Sequence, residues 1–344
     1  MDKTKIIATL GPASNESKIL RKMIFAGADV FRLNFSHGSH EEHLERIKLI
    51  RALNKKYRRH IRILQDLEGF RIRIGKLPNT GFRELKKHSK IWLTNEPGRL
   101  EKEEIPIDYK NDLSIIGAGE IIYIDDGNLA IKTVKSYKKN LQAEVLTSGI
   151  LKERKGINIP GVKFPGTGLT EKDKKDLAFG LTHKVDWVAQ SFVRKSKDVK
   201  ILKDIVKKHC SECPVVAKIE TREAIRDIDS IIDVADGIMV ARGDMGVSVP
   251  IYEIPMIQKE IIRKCNKKKK IVITATQMLE HMTEHAWPTR AEVTDVANAI
   301  IDGTNYVMLS AESASGAYPV ESVEMMTKII RYTERYMADG DLRV

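Results

Sequence analysis

Lys218 and Glu220 stand two residues apart in VVAKIE (215–220), so on an extended strand both side chains project from the same face. The next strand-like run, GIMVARGD (237–244), closes on Asp244. A hard divalent cation takes oxygen ligands, typically one or two carboxylates with substrate oxygens and water, and Glu220 with Asp244 fits that habit. A lysine beside such a pair suits reactions in which negative charge develops on phosphoryl or enolate oxygens. The rival reading is a salt bridge inside a core. Burying two carboxylates and a lysine together is costly without a function, which favours the chemical reading. The turn ARGDMG (241–246) offers free backbone N–H groups as a cradle for a carboxylate or phosphate, and Thr276 adds a hydroxyl one strand later. Other strand-like runs also end on polar residues: Arg32, Asn34 and Ser36; Asp66; Ser191; Ser310 and Glu312.

These groups need elements that bring them to one place. Strand-like runs at 5–10, 30–36 and 61–67 alternate with helix-period segments at 15–26 and about 39–53. From about Phe70 to Pro165 the alternation stops. Short β-rich segments with interleaved lysines and a turn at Asp126-Gly127 take over, as on strands with one solvated face. Alternation resumes at 170–181, where Thr170 reads as a helix N-cap, and continues through strands at 187–192, 215–220, 237–244, 271–277 and 306–313. Eight apolar strands in alternation with helices predict a parallel sheet covered by helices. An open sheet shares that rhythm but would spread the polar strand ends along a line. A (β/α)8 barrel gathers them at one mouth, and is the fold expected here. The expected domains are 1–69 and 167–344 for the barrel and 70–166 for the insert after the third strand.

Bulk properties narrow the function. The 344 residues suffice for a barrel with an insertion, and no apolar run is long enough to cross a bilayer. The start MDKTKIIATLG has no signal-peptide pattern, and three cysteines make no disulfide framework; a cytoplasmic protein is expected. Lys and Arg number 59 against 47 Asp and Glu, a formal charge of +12. No nucleic-acid recognition motif accompanies it, so phosphorylated small molecules are the expected anionic partners, with no nucleic acid and no membrane. His209, Cys210 and Cys213 form an HCxxC cluster; a zinc site needs four ligands, so Cys265 or a distant His would have to complete one there.

The motifs TKIIATLGPAS, FRLNFSHGSHEEH, GINIPG, TEKDKKDLAFG, AKIE, DGIMVARGDMGV, ITATQMLE and PTRAEVTDVANAIIDGTNYVMLSAESASG, in this order, resemble the pyruvate kinase family. The resemblance covers nearly the whole chain. It implies a (β/α)8 TIM barrel with an inserted small β-barrel lid domain after strand 3, and Mg2+-dependent phosphoryl transfer from phosphoenolpyruvate to ADP, giving pyruvate and ATP. Mn2+ would substitute for Mg2+. Matched to the family pattern, Glu220 and Asp244 hold the metal, and Lys218 stabilises the phosphoryl transition state and the enolate oxygen. Gly243, Asp244 and Thr276 lie on the substrate carboxylate side, and Arg32 reaches the transferred phosphoryl group. Asn34, Phe35, Ser36 and His37 lie on the nucleotide side, with Arg73 and Lys155 as further phosphate contacts and Asp126 as a lid contact. Thr276, or a water near Ser310 and Glu312, supplies the proton that completes pyruvate. Two other readings stay open: a metal-dependent keto-acid enzyme of decarboxylase or aldolase type, and a non-catalytic binding protein derived from the kinase.

Departures from the pattern are informative. Potassium-dependent members carry Thr after the Asp and Glu four positions further on; here the residues are Leu67 and Arg71. Asn34, Ser36 and Asp66 of that cation site remain, and a guanidinium at Arg71 would replace the monovalent cation, so potassium is expected not to be required. Phe70 replaces the usual Pro at the insert's entrance, and Thr221, Ala224, Asp227 and Ser248 are further changes. Family members usually continue into a C-terminal regulatory domain. The sequence stops at Val344, so a short form without activation by fructose bisphosphate is expected, with a homo-oligomer through the barrel still open.

Overall fold

Eight parallel strands close the first of two units in the computed structural model, which describes residues 3–77, 81–96, 104–125, 127–160, 162, 168–209 and 212–339. They are β1 (Lys5–Leu10), β2 (Ala28–Asn34), β3 (Arg62–Asp66), β4 (Trp187–Gln190), β5 (Val215–Ile219), β6 (Gly237–Ala241), β7 (Ile271–Ala275) and β8 (Tyr306–Leu309). Each pairs with its successor, and β8 returns to β1 with Lys5 opposite Tyr306. Nearly every strand residue is buried, as a sheet covered on both faces requires, and closure leaves no edge. Helices follow the strands. Those at His40–Tyr57, Glu171–Thr182 and Arg290–Ile301 each open on a capping box, Ser39 with Glu42, Thr170 with Asp173 and Thr289 with Glu292.

The barrel's alternation sets where chemistry can stand. Ile7, Val30, Leu64, Ala189, Val216, Met239, Ile273 and Met308, one from each strand, form a buried apolar cluster. Two residues further along, the same face carries Thr9, Arg32, Asp66, Ser191 and Lys218, then Ala241 and Ala275, then Ser310. Asp66 follows β3's cluster residue and Lys218 follows β5's. Those strands are separated by β4, yet the two side chains lie 3.3 Å apart, a contact open to them only across the barrel interior.

Seven strands end short of the ranges expected from sequence, most by one or two residues and β6 and β8 by three and four. β6 ends at Ala241 and β8 at Leu309, and short helices, Arg242–Ser248 and Ala311–Ala314, take over. So Asp244 belongs to a helical turn rather than to the strand end. At β8 the Glu312 carboxylate accepts the N–H groups of Ser310 and Leu279, at 2.7 and 3.1 Å, and draws the chain out of the ladder.

The second unit comprises Phe70–Thr167 with Asp244–Ile251. Its seven-stranded sheet runs in the order Ile72–Arg73, Gly156–Asn158, Ile121–Ile124, Leu129–Ser136, Asn140–Val145, Lys90–Thr94, Glu104–Pro106. The two edge strands are joined just beyond their ends by an Ile74–Ile107 bridge, so the sheet curls until its edges meet. One alternating face, including Ile91, Leu93, Ile122, Ile131 and Leu141, fills a separate core against which Phe70 packs. Phe70 also meets Tyr109 edge-on at 6.2 Å, so the residue standing where the family has Pro is bound into this unit's core. Asp126 lies outside the described residues.

Candidate active site

A continuous polar chain crosses five neighbouring strands at the C-terminal end of the barrel. Arg32 Nη1 donates to Thr9 Oγ1 at 3.0 Å, and its Nε donates to Asp66 Oδ2 at 2.7 Å. Lys218 Nζ donates to Ser191 Oγ at 2.6 Å and pairs with Glu220 Oε1 at 3.0 Å. Ser191 passes its own proton to the Leu67 carbonyl at 2.7 Å. Phe192 takes a left-handed backbone, φ 52°, and its N–H donates to Glu220 Oε2 at 2.6 Å. Arg32, Asp66, Lys218 and Glu220 are all buried. Removing one member of such a buried set leaves an uncompensated charge, at a cost of about 3–5 kcal/mol. Burial alone pulls the Asp66 carboxyl upward, but Lys218 and Arg32 outweigh it and hold it below the ordinary carboxylate value. Asp66 is therefore ionised at neutral pH, between two basic side chains in a buried site where charges interact strongly.

Thr276 begins just past β7 and is held in an unusual conformation. Its φ is 72° and that of Gln277 is 53°, the left-handed region that a β-branched residue seldom enters and that costs on the order of 1–3 kcal/mol. The Thr276 hydroxyl accepts the Gly243 N–H at 2.8 Å and donates to the Ala275 carbonyl at 2.5 Å. Gly243 and Thr276 are thus brought together as the sequence predicts. Ser310 lies at the end of β8, and its buried hydroxyl has no hydrogen-bond partner among the described residues. Glu312 is fully buried, and burial raises its carboxyl above the ordinary value against its backbone hydrogen bonds.

The Asn34–His37 segment folds as a turn, with the His37 N–H on the Asn34 carbonyl at 3.2 Å and the Ser36 N–H on Asn34 Oδ1 at 3.1 Å. Phe35 is buried, its ring stacked on His43 with centroids 4.1 Å apart, and Lys172 Nζ donates to its carbonyl at 2.6 Å. Phe35 therefore offers a ligand only backbone. In the second unit, Arg73 is opposite Gly156 on a neighbouring strand, which places Lys155 one residue from that register; Lys155 Nζ pairs with Asp125 Oδ1 at 2.7 Å. Arg71 pairs with Asp244 Oδ1 at 3.2 Å and lies across Gly156, where an added Cβ would come within 2.2 Å of its Nε.

Several contributors escape sequence reasoning. Thr9 stands inside the quoted TKIIATLGPAS motif without an assigned role, and the barrel parity, two residues after Ile7, points to one. Arg242 stands inside the quoted ARGDMG turn, yet its partners Gln258 and Asp295 lie on later helices that spacing cannot connect. Thr221 and Asp227, changed from the family pattern, cap helices: Thr221 accepts the Ala224 N–H at 3.1 Å and Asp227 accepts that of Ser196 at 2.9 Å. His209 rests on the Ile205 carbonyl, Cys213 is buried, and Cys210 lies outside the described residues.

A closed barrel of parallel strands with ionised side chains gathered at their C-terminal ends is the layout of the (β/α)8-barrel enzymes. Residues 1–323 match the family described as pyruvate kinase, barrel domain, and the chain belongs to the pyruvate kinase family. It is 45% identical over 334 residues to a pyruvate kinase of Thermococcus litoralis, covering 97% of this chain and 70% of the relative. A pyruvate kinase of Staphylococcus aureus strain MRSA252 is 45% identical over 331 residues, or 96% of this chain and 56% of that relative. The chain thus spans little more than half the length of the Staphylococcus relative. Among the described residues no helix is long and apolar enough to cross a membrane.

Proposed function

We propose that this chain transfers the phosphoryl group of phosphoenolpyruvate to ADP, giving ATP and pyruvate, in the cytoplasm. The observation that carries the reading is the run of contacts Arg32–Asp66–Lys218–Glu220 at the barrel mouth, in a member of the pyruvate kinase family. In the reaction the bond between phosphorus and the enol oxygen breaks and one to the ADP β-phosphate forms, while a proton reaches the enolate carbon. Arg32 and Lys218 set fixed positive charge where the phosphoryl oxygens and the enolate oxygen gain negative charge. Asp66 orients both cations through its two oxygens. Gly243 and Thr276 receive the substrate carboxylate side, and Thr276 or a water at Ser310 and Glu312 delivers the final proton. Asn34, Phe35, Ser36 and His37, together with Arg73 and Lys155, make up the nucleotide side on the strength of the motif match.

Mg2+ fits the donor set. Glu220 and Asp244 offer the hard carboxylate oxygens that such a cation takes. A cation held by two carboxylates would complete its shell from substrate and water, which is the habit of Mg2+, with Mn2+ as substitute. When bound, it would neutralise phosphoryl charge as a Lewis acid. We further propose that Arg71 supplies the positive charge that potassium brings to other members, in a site including Asn34, Ser36 and Asp66.

Pyruvate formation from phosphoenolpyruvate and ADP with Mg2+, in tetramethylammonium buffer free of potassium, tests both. Turnover there supports the reaction and the built-in cation together. Turnover that begins only on adding KCl keeps the reaction and removes the role of Arg71. A folded protein silent in both would leave the keto-acid and binding-protein readings.

A further inference from the structure

We propose that Arg242 is a positioning residue for this reaction, holding Thr276 in its left-handed conformation and so fixing the direction of its hydroxyl. The inference rests on the phosphotransfer reading for its kinetic part. A threonine and the residue after it, both at positive φ, persist only where their surroundings over-determine the backbone. Arg242 supplies that constraint. Its Nε and Nη2 both donate to the Thr276 carbonyl, at 3.2 and 2.7 Å, and Nη2 also reaches the Gln277 carbonyl at 3.3 Å. The far side of the guanidinium is anchored, with Nη1 on Asp295 Oδ1 at 2.7 Å and on Gln258 Oε1 at 3.4 Å.

The next residue along the chain completes the grip. The Gly243 N–H takes the Thr276 hydroxyl oxygen, so residues 242 and 243 hold one threonine by its carbonyl and by its side chain. With one lone pair on Gly243 and its proton on the Ala275 carbonyl, the hydroxyl has a single direction. A planar fork with several donors can hold two successive carbonyls and a carboxylate at once, whereas the single ammonium of lysine cannot reproduce that geometry. Arg242 touches no reacting atom in this account. It acts through Thr276.

The test is a double-mutant cycle of Arg242→Lys and Thr276→Gly, with kcat and KM for phosphoenolpyruvate measured on each variant. Glycine enters the left-handed region freely, so Thr276→Gly removes both the hydroxyl and the need to hold it. Arg242→Lys alone is expected to lower kcat on the order of 10–100-fold with little change in KM, and to add almost nothing in the Thr276→Gly background. Equal losses in both backgrounds would overturn the proposal. Asp295→Asn, which leaves Arg242 in place and weakens its anchor, is expected to give a smaller loss of the same kind, and serves if Arg242→Lys folds poorly. A crystal structure of Arg242→Lys, or of Asp295→Asn where Arg242→Lys folds poorly, separates this idea from the activity reading. The Thr276 backbone should leave the left-handed region, and a φ still near that of the parent would overturn the proposal even if the parent showed no turnover.

Discussion

At the scale of single residues, environment decides what each group can do. His43 is stacked on Phe35, and burial pushes its imidazole down to about 4 from the ordinary 6.5, against the pull of its bond to the His37 carbonyl. The unfolded chain therefore takes up this proton before the folded one does. The stability that neutral His43 contributes is complete above about pH 6.5 and is lost as pH falls toward about 4. Melting temperatures measured from pH 7.5 to 4.5 should fall on acidification, and His43→Gln should flatten that slope; an unchanged slope would refute the assignment. Asp66 has the same sign in a lower window. Its depressed carboxyl keeps its contribution above the ordinary carboxylate value and gives it up only in stronger acid. The ion-pair chain of the site therefore persists under conditions in which His43 is already charging.

At the scale of elements, the strands and helices were legible because their periods are plain. Eight apolar runs and the N-cap at Thr170 mark most elements from spacing alone, and in the structure Ser39 and Thr289 cap their helices the same way. The C-terminal ends of β6 and β8 were less legible, since part of what holds them is tertiary. Glu312 takes the Ser310 N–H from within YVMLSAES itself, but its second donor, the Leu279 N–H, comes from a distant loop that spacing does not announce. Likewise Lys218 and Glu220 could be paired by alternation, whereas the Arg242–Asp295 contact joins residues that only the folded barrel brings together. Helix Glu171–Thr182 gives a test of such long-range packing. Gly180 sits inside it, where alanine normally stabilises a helix by up to about 1 kcal/mol. Here a Cβ would come within 1.9 Å of Oε1 of the fully buried Gln65, whose Nε2 is fixed on the Asp176 carbonyl. Gly180→Ala should therefore destabilise by about 1–3 kcal/mol in urea melts, and a stabilised variant would show that Gln65 can move aside.

At the scale of the whole molecule, an apolar cluster in each unit, among the described residues, implies two cooperative units. The buried cluster of the second unit draws only on residues within 72–162, and the barrel cluster only on the eight strands. Calorimetry is expected to show two transitions. Ile131→Ala, a truncation in the second core, should lower one by about 2–5 kcal/mol and leave the other in place. A single transition that shifts as a whole would show that the cores unfold together.

The closing of β8 onto β1 also has a consequence in time. Lys5 pairs with Tyr306, so the first strand of the barrel has a partner on one side from β2 but on the other only from the last strand made. At about 5–20 residues per second of synthesis, β1 waits on the order of 15–60 s before β8 emerges. During that interval the nascent sheet carries two open edges of apolar strands, the form most prone to pairing with other chains. The capped helices and the second unit can form while the chain is still growing, and the ring that aligns Arg32, Asp66, Lys218 and Ser310 comes last. The site is therefore completed only once β8 has been made, all at once.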